Sequence, residues 1–76
     1  HAEASFDKQI NAVKLNDALL EVDEKYRQVL VLRFFEHLEY EEISDILQIP
    51  VGSVGTLLHR GKKQLAGVLN IDHIRI

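Results

Sequence analysis

The residues of this sequence that could do chemistry are a group of cations and hydroxyls near its carboxyl-terminal end. Arg60, Lys62 and Lys63 lie in a stretch, residues 46–71, that contains no acidic residue, and Ser53 and Thr56 precede them. Side chains of these types donate hydrogen bonds to phosphate oxygens and base edges. The sequence therefore predicts one locally basic end of the domain. A solvated helix face without a ligand is the alternative.

Catalytic chemistry is not indicated. The chain has four histidines: His1, His37, His59 and His73. No two of them have the i, i+4 spacing of a helical metal site. Glu39, Glu41 and Glu42 are close in sequence, but side chains at such spacing point in different directions on a helix. Because no nucleophile motif or phosphate-binding glycine loop is present either, we expect a protein that is not an enzyme and has no metal or other cofactor.

The composition fits one small domain. The chain has 76 residues, a net charge of -3 and no cysteine, and no apolar run approaches the roughly 20 residues of a membrane span. We expect a cytoplasmic location, no membrane association and no strong unaided binding of nucleic acid. Because the chain starts at His1 rather than at methionine, residues 1–5 are interpreted as a disordered lead-in or tag scar. An acidic block precedes the basic end: Glu36, Glu39, Glu41, Glu42 and Asp45.

Residues 40–63 organise the chain. Two sets of apolar residues have the i, i+3, i+4 spacing of helices with one buried face: Ile43, Ile46 and Leu47, then Val51, Val54, Leu57 and Leu58. Pro50 lacks an amide hydrogen and disfavours helical geometry at Ile49, so the first helix ends there and a second begins at about Val51. We expect the second helix to reach about Leu69. This pattern is a helix-turn-helix, whose second helix enters the DNA major groove.

A helix is also predicted near the amino-terminal end. Its apolar face is marked from residue 6 onward by Phe6, Ile10, Val13 and Leu20, with Ala18 and Leu19 nearby. Asn16-Asp17 is a candidate interruption, after which a short helix would continue to Val22. We interpret this segment as an amphipathic leader that packs on the core rather than as a separate activity.

The middle of the chain should form a helix from about Glu24 to Phe35, preceded by Asp23 as a suitable N-cap. This helix is apolar on most sides, as expected of a central or partner-covered element. We hypothesise an ion pair between Arg33 and Glu42 that joins it to the helix-turn-helix. The predicted fold is all-α, a small four-helix domain over residues 6–70 with a C-terminal helix-turn-helix, followed by a frayed tail at 71–76.

Three motifs in order resemble region 4 of bacterial sigma factors, in particular of the extracytoplasmic-function group. They are YRQVLVLRFF at residues 26–35, LEYEEI at 38–43, and IPVGSV with HRG at 49–54 and 59–61. The resemblance covers about residues 19–69. It implies a compact helical domain that reads the −35 element of promoter DNA. It also implies docking on the β flap of the RNA polymerase core and, often, capture by an anti-sigma factor.

The resemblance also implies the DNA contacts: Ser53, Gly55, Thr56, Leu57, His59 and Arg60. We add Lys63 as a phosphate contact. The chain departs from the family where Gly55 replaces a common basic residue and Leu57 a common arginine; Ser44 and Gln48 stand where alanine and glycine are common. If Arg60, Lys62 and Lys63 each neutralise one phosphate, the salt slope is about -2.7. We therefore expect weak DNA binding that depends on tethering through polymerase.

The apolar surplus around Leu32, Phe35 and Leu38 is the predicted polymerase contact, with ordinary core packing as the alternative. A second interpretation of the whole chain is a protein-interaction module with little DNA binding. In it, Gly55 and Leu57 lie on the outer side of the last helix and bind an anti-sigma factor or another regulator. A third interpretation, the helix-turn-helix of a response regulator, fits residues 50–54 less well.

Overall fold

The computed structural model describes residues 12–74, which form four helices. α1 spans Ala12–Leu20, α2 spans Glu24–Leu30 and continues as a π-helical turn over Val31–Phe35, α3 spans Tyr40–Leu47, and α4 spans Val51–Leu69. Within this range no strand is present, and the predicted all-α class with a C-terminal helix-turn-helix is confirmed. The predicted lead-in at residues 1–5, together with residues 6 and 10 of the predicted apolar face, lies outside the described residues.

The buried face of α1 differs from the predicted one. Leu15, Ala18 and Leu19 are buried, whereas Val13 and Leu20 are 69% and 73% exposed. Both sets of residues have helical spacing, and only the packing against the other helices decides which one faces the core. The prediction that residues 13 and 20 mark the buried face was therefore wrong.

No interruption occurs at Asn16-Asp17, because α1 runs through both residues. Their side chains are exposed, where polar residues cost a helix only a few tenths of a kcal/mol. The helix ends at Leu20, and Arg27 of α2 lies beside this end. Its Nη1 atom donates hydrogen bonds to the carbonyl oxygens of Leu19 and Val22 over 3.1 and 3.0 Å. Carbonyl groups at a helix end lack partners within the helix, and Arg27 supplies a donor to the end of α1 and to the turn that follows it.

One apolar core lies between α4 and the other helices. Its largest fully buried side chains are Leu30, Ile43, Leu65, Val29 and Val54. Each such burial contributes about 1.5–3 kcal/mol, which a helix with several glycines needs in order to be stable. Gly61 of α4 is buried, and a Cβ atom there would lie 3.2 Å from Cβ of Tyr26. α2 and α4 therefore approach each other closely at this glycine.

The chain turns back onto the core after α4. Asn70 adopts a left-handed conformation with φ 58°, and the Ile71 N–H donates to the Ala66 carbonyl over 3.0 Å. This is a common way to end a helix and reverse the chain. Ile74 is consequently only 8% exposed and belongs to the core cluster, against which Ile71 also packs. The frayed end predicted from residue 71 is therefore wrong for residues 71–74.

The start of α3 explains why the predicted pair between Arg33 and Glu42 does not form. The Glu42 carboxylate accepts a hydrogen bond from the Glu39 N–H over 2.8 Å, as in a capping box at a helix start. Arg33 Nη1 instead donates to the Leu38 carbonyl over 2.8 Å and lies 3.7 Å from Glu39 Oε1. The Glu42 carboxylate is therefore hydrogen-bonded within the first turn of α3. Arg33 contacts Leu38 and Glu39, which come just before α3.

The turn between α3 and α4 uses two residues at which the sequence departs from the family pattern. Gln48 is left-handed with φ 57°, and its Nε2 donates to the Asp45 carbonyl over 2.7 Å. The Ser44 hydroxyl donates to the Ile49 carbonyl over 2.5 Å. Side-chain hydrogen bonds thus stabilise a turn that glycine would favour by conformational freedom alone. Pro50 then precedes the first turn of α4 in an extended conformation.

Candidate nucleic-acid interface

One face of α4 is open to solvent over residues 56–63. Thr56, His59, Arg60 and Lys63 are exposed, and their three- and four-residue spacing places them on one side of the helix. We call these four residues the open face. The other side faces the core through Val54, Leu58, Gly61 and Leu65, all buried. α4 is therefore supported from beneath while the predicted contact residues Thr56 and Arg60 point away from the domain.

The remaining predicted contacts in α4 lie at the margin of the open face or turn away from it. Ser53 and Gly55 are half-buried, and a Cβ atom at Gly55 would lie 3.6 Å from Cε2 of Tyr40. Leu57 is also half-buried and packs against the core cluster. The prediction that Leu57 lies on the outer side of the helix was therefore wrong. The roles of the other residues in binding DNA stay predictions.

Lys62 does not belong to the open face. It is half-buried, and its Nζ atom lies 6.0 Å from the centroid of the Phe34 ring, a distance at which a cation and an aromatic face attract each other. The open face consequently carries two formal cations, Arg60 and Lys63. The expected salt slope is therefore shallower than the value of about -2.7 for three cations.

Gln64 fixes the middle of α4 to the corner between α1 and α2. Its Oε1 accepts a hydrogen bond from the Asp23 N–H over 2.6 Å, and its Nε2 donates to Asp23 Oδ2 over 3.2 Å. Asp23 does occupy the N-cap position of α2, but its side chain makes no capping hydrogen bond there. Sequence reasoning missed Gln64 because nothing local to either residue signals a contact across 41 positions.

The predicted polymerase-contact residues lie around the π-helical turn. None of residues 31–35 is buried, and Phe35 is 42% exposed. Leu32 and Leu38 are half-buried and pack against the core, and the Leu38 N–H donates to the Leu32 carbonyl over 3.0 Å. π-helical turns are frequent at functional sites. The contact role of these three residues stays a prediction, with Phe35 the most accessible of them.

Two apolar residues beside the helix-turn-helix turn are exposed, although their spacing predicted burial. Ile46 is 57% exposed and Val51 is 48% exposed. Ile43 of α3 and Val54 of α4 are fully buried at the centre of the contact between the two helices. Ile46 and Val51 lie at the edge of this contact. Burial at these two positions was predicted wrongly.

Neither a metal site nor a membrane span is evident in residues 12–74. This part of the chain contains no group of three or more His, Cys, Asp or Glu side chains that could hold a metal ion. None of its helices is long and apolar enough to cross a lipid bilayer.

The sequence matches the family model described as Sigma-70, region 4 over residues 12–65. It is 43% identical over 51 residues to the ECF RNA polymerase sigma factor SigW of Bacillus subtilis (strain 168), a match that covers 67% of this chain and 27% of the relative. The RNA polymerase sigma factor YlaC of the same organism is 35% identical over 63 residues, covering 83% of this chain and 36% of that protein.

A third relative, the RNA polymerase sigma factor SigV of Bacillus subtilis (strain 168), is 41% identical over 49 residues, covering 64% of this chain and 30% of the relative. The chain thus spans about a third or less of the curated relatives it matches. The resemblance to extracytoplasmic-function sigma factors is confirmed by the family model and by these matches. The match over residues 12–65, which includes α3 and most of α4, shows that the chain belongs to the sigma-70 region 4 family.

Proposed function

We propose that this chain is the promoter-reading part of a sigma factor, with α4 lying in the DNA major groove at the −35 element. The observation that supports this most is the open face of α4, because it presents hydroxyl, imidazole, guanidinium and ammonium groups on a helix whose other side is buried. Second helices of helix-turn-helix units dock in this way. No reaction is proposed, since the contacts themselves direct the polymerase to a promoter.

The residues of the open face have different proposed roles. Arg60 contacts a guanine edge or a phosphate, since its guanidinium suits both. Thr56 and His59 make more permissive base or phosphate contacts. Lys63 and Ser53 contact phosphates, which position the helix without reading sequence. Gly55 offers only backbone atoms.

Weak intrinsic affinity is part of the proposal. Two cations on the open face correspond to a salt slope of about -1.8, where strong binders contact about 6–10 phosphates. The net charge of -3 adds unfavourable long-range electrostatics. Tethering to polymerase raises the local concentration near DNA into the mM range. Affinity for the promoter would then be shared between this chain and the enzyme that carries it.

Removing one cation from the open face is expected to reduce the salt slope. Arg60→Ala and Lys63→Ala should each make the slope of log K against log salt shallower by about 0.9, because one fewer counterion is released. Fluorescence anisotropy with a labelled duplex at several salt concentrations measures this. Lys25→Ala is the matched control, since Lys25 is an exposed cation on α2 and should leave the slope unchanged. Nanomolar, salt-insensitive binding by the free chain would contradict the proposal.

Docking on the polymerase β flap is proposed for the surface formed by Leu32, Phe35 and Leu38. It is supported by the 42% exposure of a phenylalanine in a segment with no buried residue. Exposed aromatic side chains are frequent centres of protein interfaces. The two leucines would support the ring from the core side.

Phe35→Asp is expected to weaken binding to an isolated β-flap fragment at least tenfold, because an aromatic anchor at an interface contributes roughly 2 kcal/mol or more. Leu20→Asp serves as the control, since Leu20 is an apolar residue with 73% exposure on α1. Calorimetric titration of both variants measures the difference. Equal affinities for the two variants would show that residues 32–38 do not form the surface that binds the β flap.

The alternative, an interaction module that binds an anti-sigma factor through Gly55 and Leu57, has less support. Leu57 packs against the core, and Gly55 lies beside the Tyr40 ring. Neither offers the accessible apolar side chain that such an interface needs at its centre. Anti-sigma binding at another surface is compatible with the proposed function.

A further inference from the structure

Val51 is an exposed apolar residue at the start of the proposed recognition helix. It is 48% exposed, and within residues 12–74 it is the only large apolar side chain of α4 in the exposed class. Val51 is the first residue of α4, and side chains of a helix tilt toward its amino-terminal end. The residues at this end of a recognition helix are the ones that contact base edges.

Two glycines of α4, Gly52 and Gly55, follow Val51 within one turn of the helix. A Cβ atom at Gly52 would have no neighbour within 4 Å. One turn later stands Gly55, where the nearest atom to an added Cβ belongs to the Tyr40 ring. No side chain at either position covers the valine. Val51 thus keeps 48% of its surface exposed at this end of the helix.

Resting on the proposed function, we propose that Val51 contacts the C5-methyl group of a thymine and makes the chain prefer thymine at one position of its site. The thymine methyl is the apolar group that base pairs present in the major groove. Contact between the two removes apolar surface from water on both sides. A chain with few cations on α4 would in this way gain sequence preference without further charge.

The test compares thymine with deoxyuracil, which lacks only the methyl group. A duplex is first selected by the chain from a library with a randomised window, and each thymine is then replaced in turn. For the wild-type chain, uracil at one position should weaken binding about fourfold, the effect of burying one methyl-sized group. For Val51→Ala, uracil and thymine duplexes should bind equally, with the affinity of the wild-type chain for the uracil duplex.

Val13→Ala is the control, because Val13 is an apolar residue with 69% exposure on α1; it should keep the full thymine preference. Equal binding of thymine and uracil duplexes by the wild type at every position would overturn the inference. So would a thymine preference that persists in Val51→Ala. Absence of binding to any duplex at chain concentrations up to about 1 mM, the effective concentration of a tethered chain, would overturn the proposed function and the inference with it. Binding without methyl dependence would overturn the inference alone.

Discussion

Gly61→Val should lower the free energy of unfolding by about 3 kcal/mol, the upper end of what overpacking a core costs. A Cβ atom at Gly61 would lie 3.2 Å from Cβ of Tyr26 and 3.3 Å from Cγ and Cδ1 of Leu30. The Tyr26 atom is attached directly to the α2 backbone and cannot rotate away. A branched side chain at Gly61 would therefore push α2 from α4, and urea denaturation measures the loss.

Gly67→Ala is the matched control, since Gly67 is an exposed glycine of the same helix with nothing within 4 Å of an added Cβ. It should raise the free energy of unfolding by about 1 kcal/mol through helix propensity. Gly61→Ala gains the same propensity but meets the contact with α2, so it should be less stable than Gly67→Ala. Equal stability of Gly61→Val and the wild type would show that α2 can move away at little cost.

The helix-turn-helix was predictable because its signals are local. Pro50 and the apolar spacing on either side of it set the end of α3 and the start of α4 at Val51. The open face followed from the same periodicity, since residues opposite Val54 and Leu58 have to face solvent. The spacing correctly predicts that Leu57 belongs to the buried side, whereas its assignment to the outer side came from the family's DNA contacts and from the interaction-module interpretation. The spacing does not tell how far the buried stripe extends toward the start of the helix, which is why it predicts burial of the exposed Val51.

Contacts between distant parts of the chain could not be predicted in this way. Gln64 and Asp23 are 41 positions apart, and either residue alone reads as an ordinary surface position. Ile74 lies in a polar stretch whose sequence suggests fraying, yet the left-handed turn at Asn70 directs it to the core. In α1, two apolar stripes compete, and only tertiary packing selects Leu15 and its neighbours over Val13.

The predicted ion pair between Arg33 and Glu42 was also wrong, because the sequence does not show which partner each side chain prefers. Arg33 and Glu42 have opposite charge and lie on elements that meet, so proximity alone suggested a bridge. Glu42 stands three residues into the motif that begins α3, where the Glu39 N–H needs an acceptor. A local backbone requirement took precedence over a surface ion pair, which is worth about 0–1 kcal/mol.

Arg27→Met is expected to lower the free energy of unfolding by about 2 kcal/mol. One guanidinium nitrogen of Arg27 donates to the carbonyl oxygens of Leu19, Leu20 and Val22 over 3.1, 3.3 and 3.0 Å. Hydrogen bonds from a charged donor contribute about 1.5–3 kcal/mol, and a cation at the end of a helix is favoured by the helix dipole. Methionine keeps the apolar stem of the side chain but removes the guanidinium donor, after which the Leu19 carbonyl keeps only the Val22 N–H at 3.2 Å.

The matched control is Arg60→Met on the open face of α4, which should change the free energy of unfolding by no more than about 0.5 kcal/mol, as exposed substitutions do. The two variants should therefore have separate effects: Arg27→Met should change stability, and Arg60→Met should change DNA binding. Arg27→Met should keep the salt slope of the wild type as long as the chain is folded, and Arg60→Met should make it shallower by about 0.9. If Arg27→Met unfolds at the same urea concentration as the wild type, water can replace its guanidinium at the end of α1. In that case the segment between α1 and α2 would be stabilised only by the hydrogen bonds of Gln64 and by apolar packing.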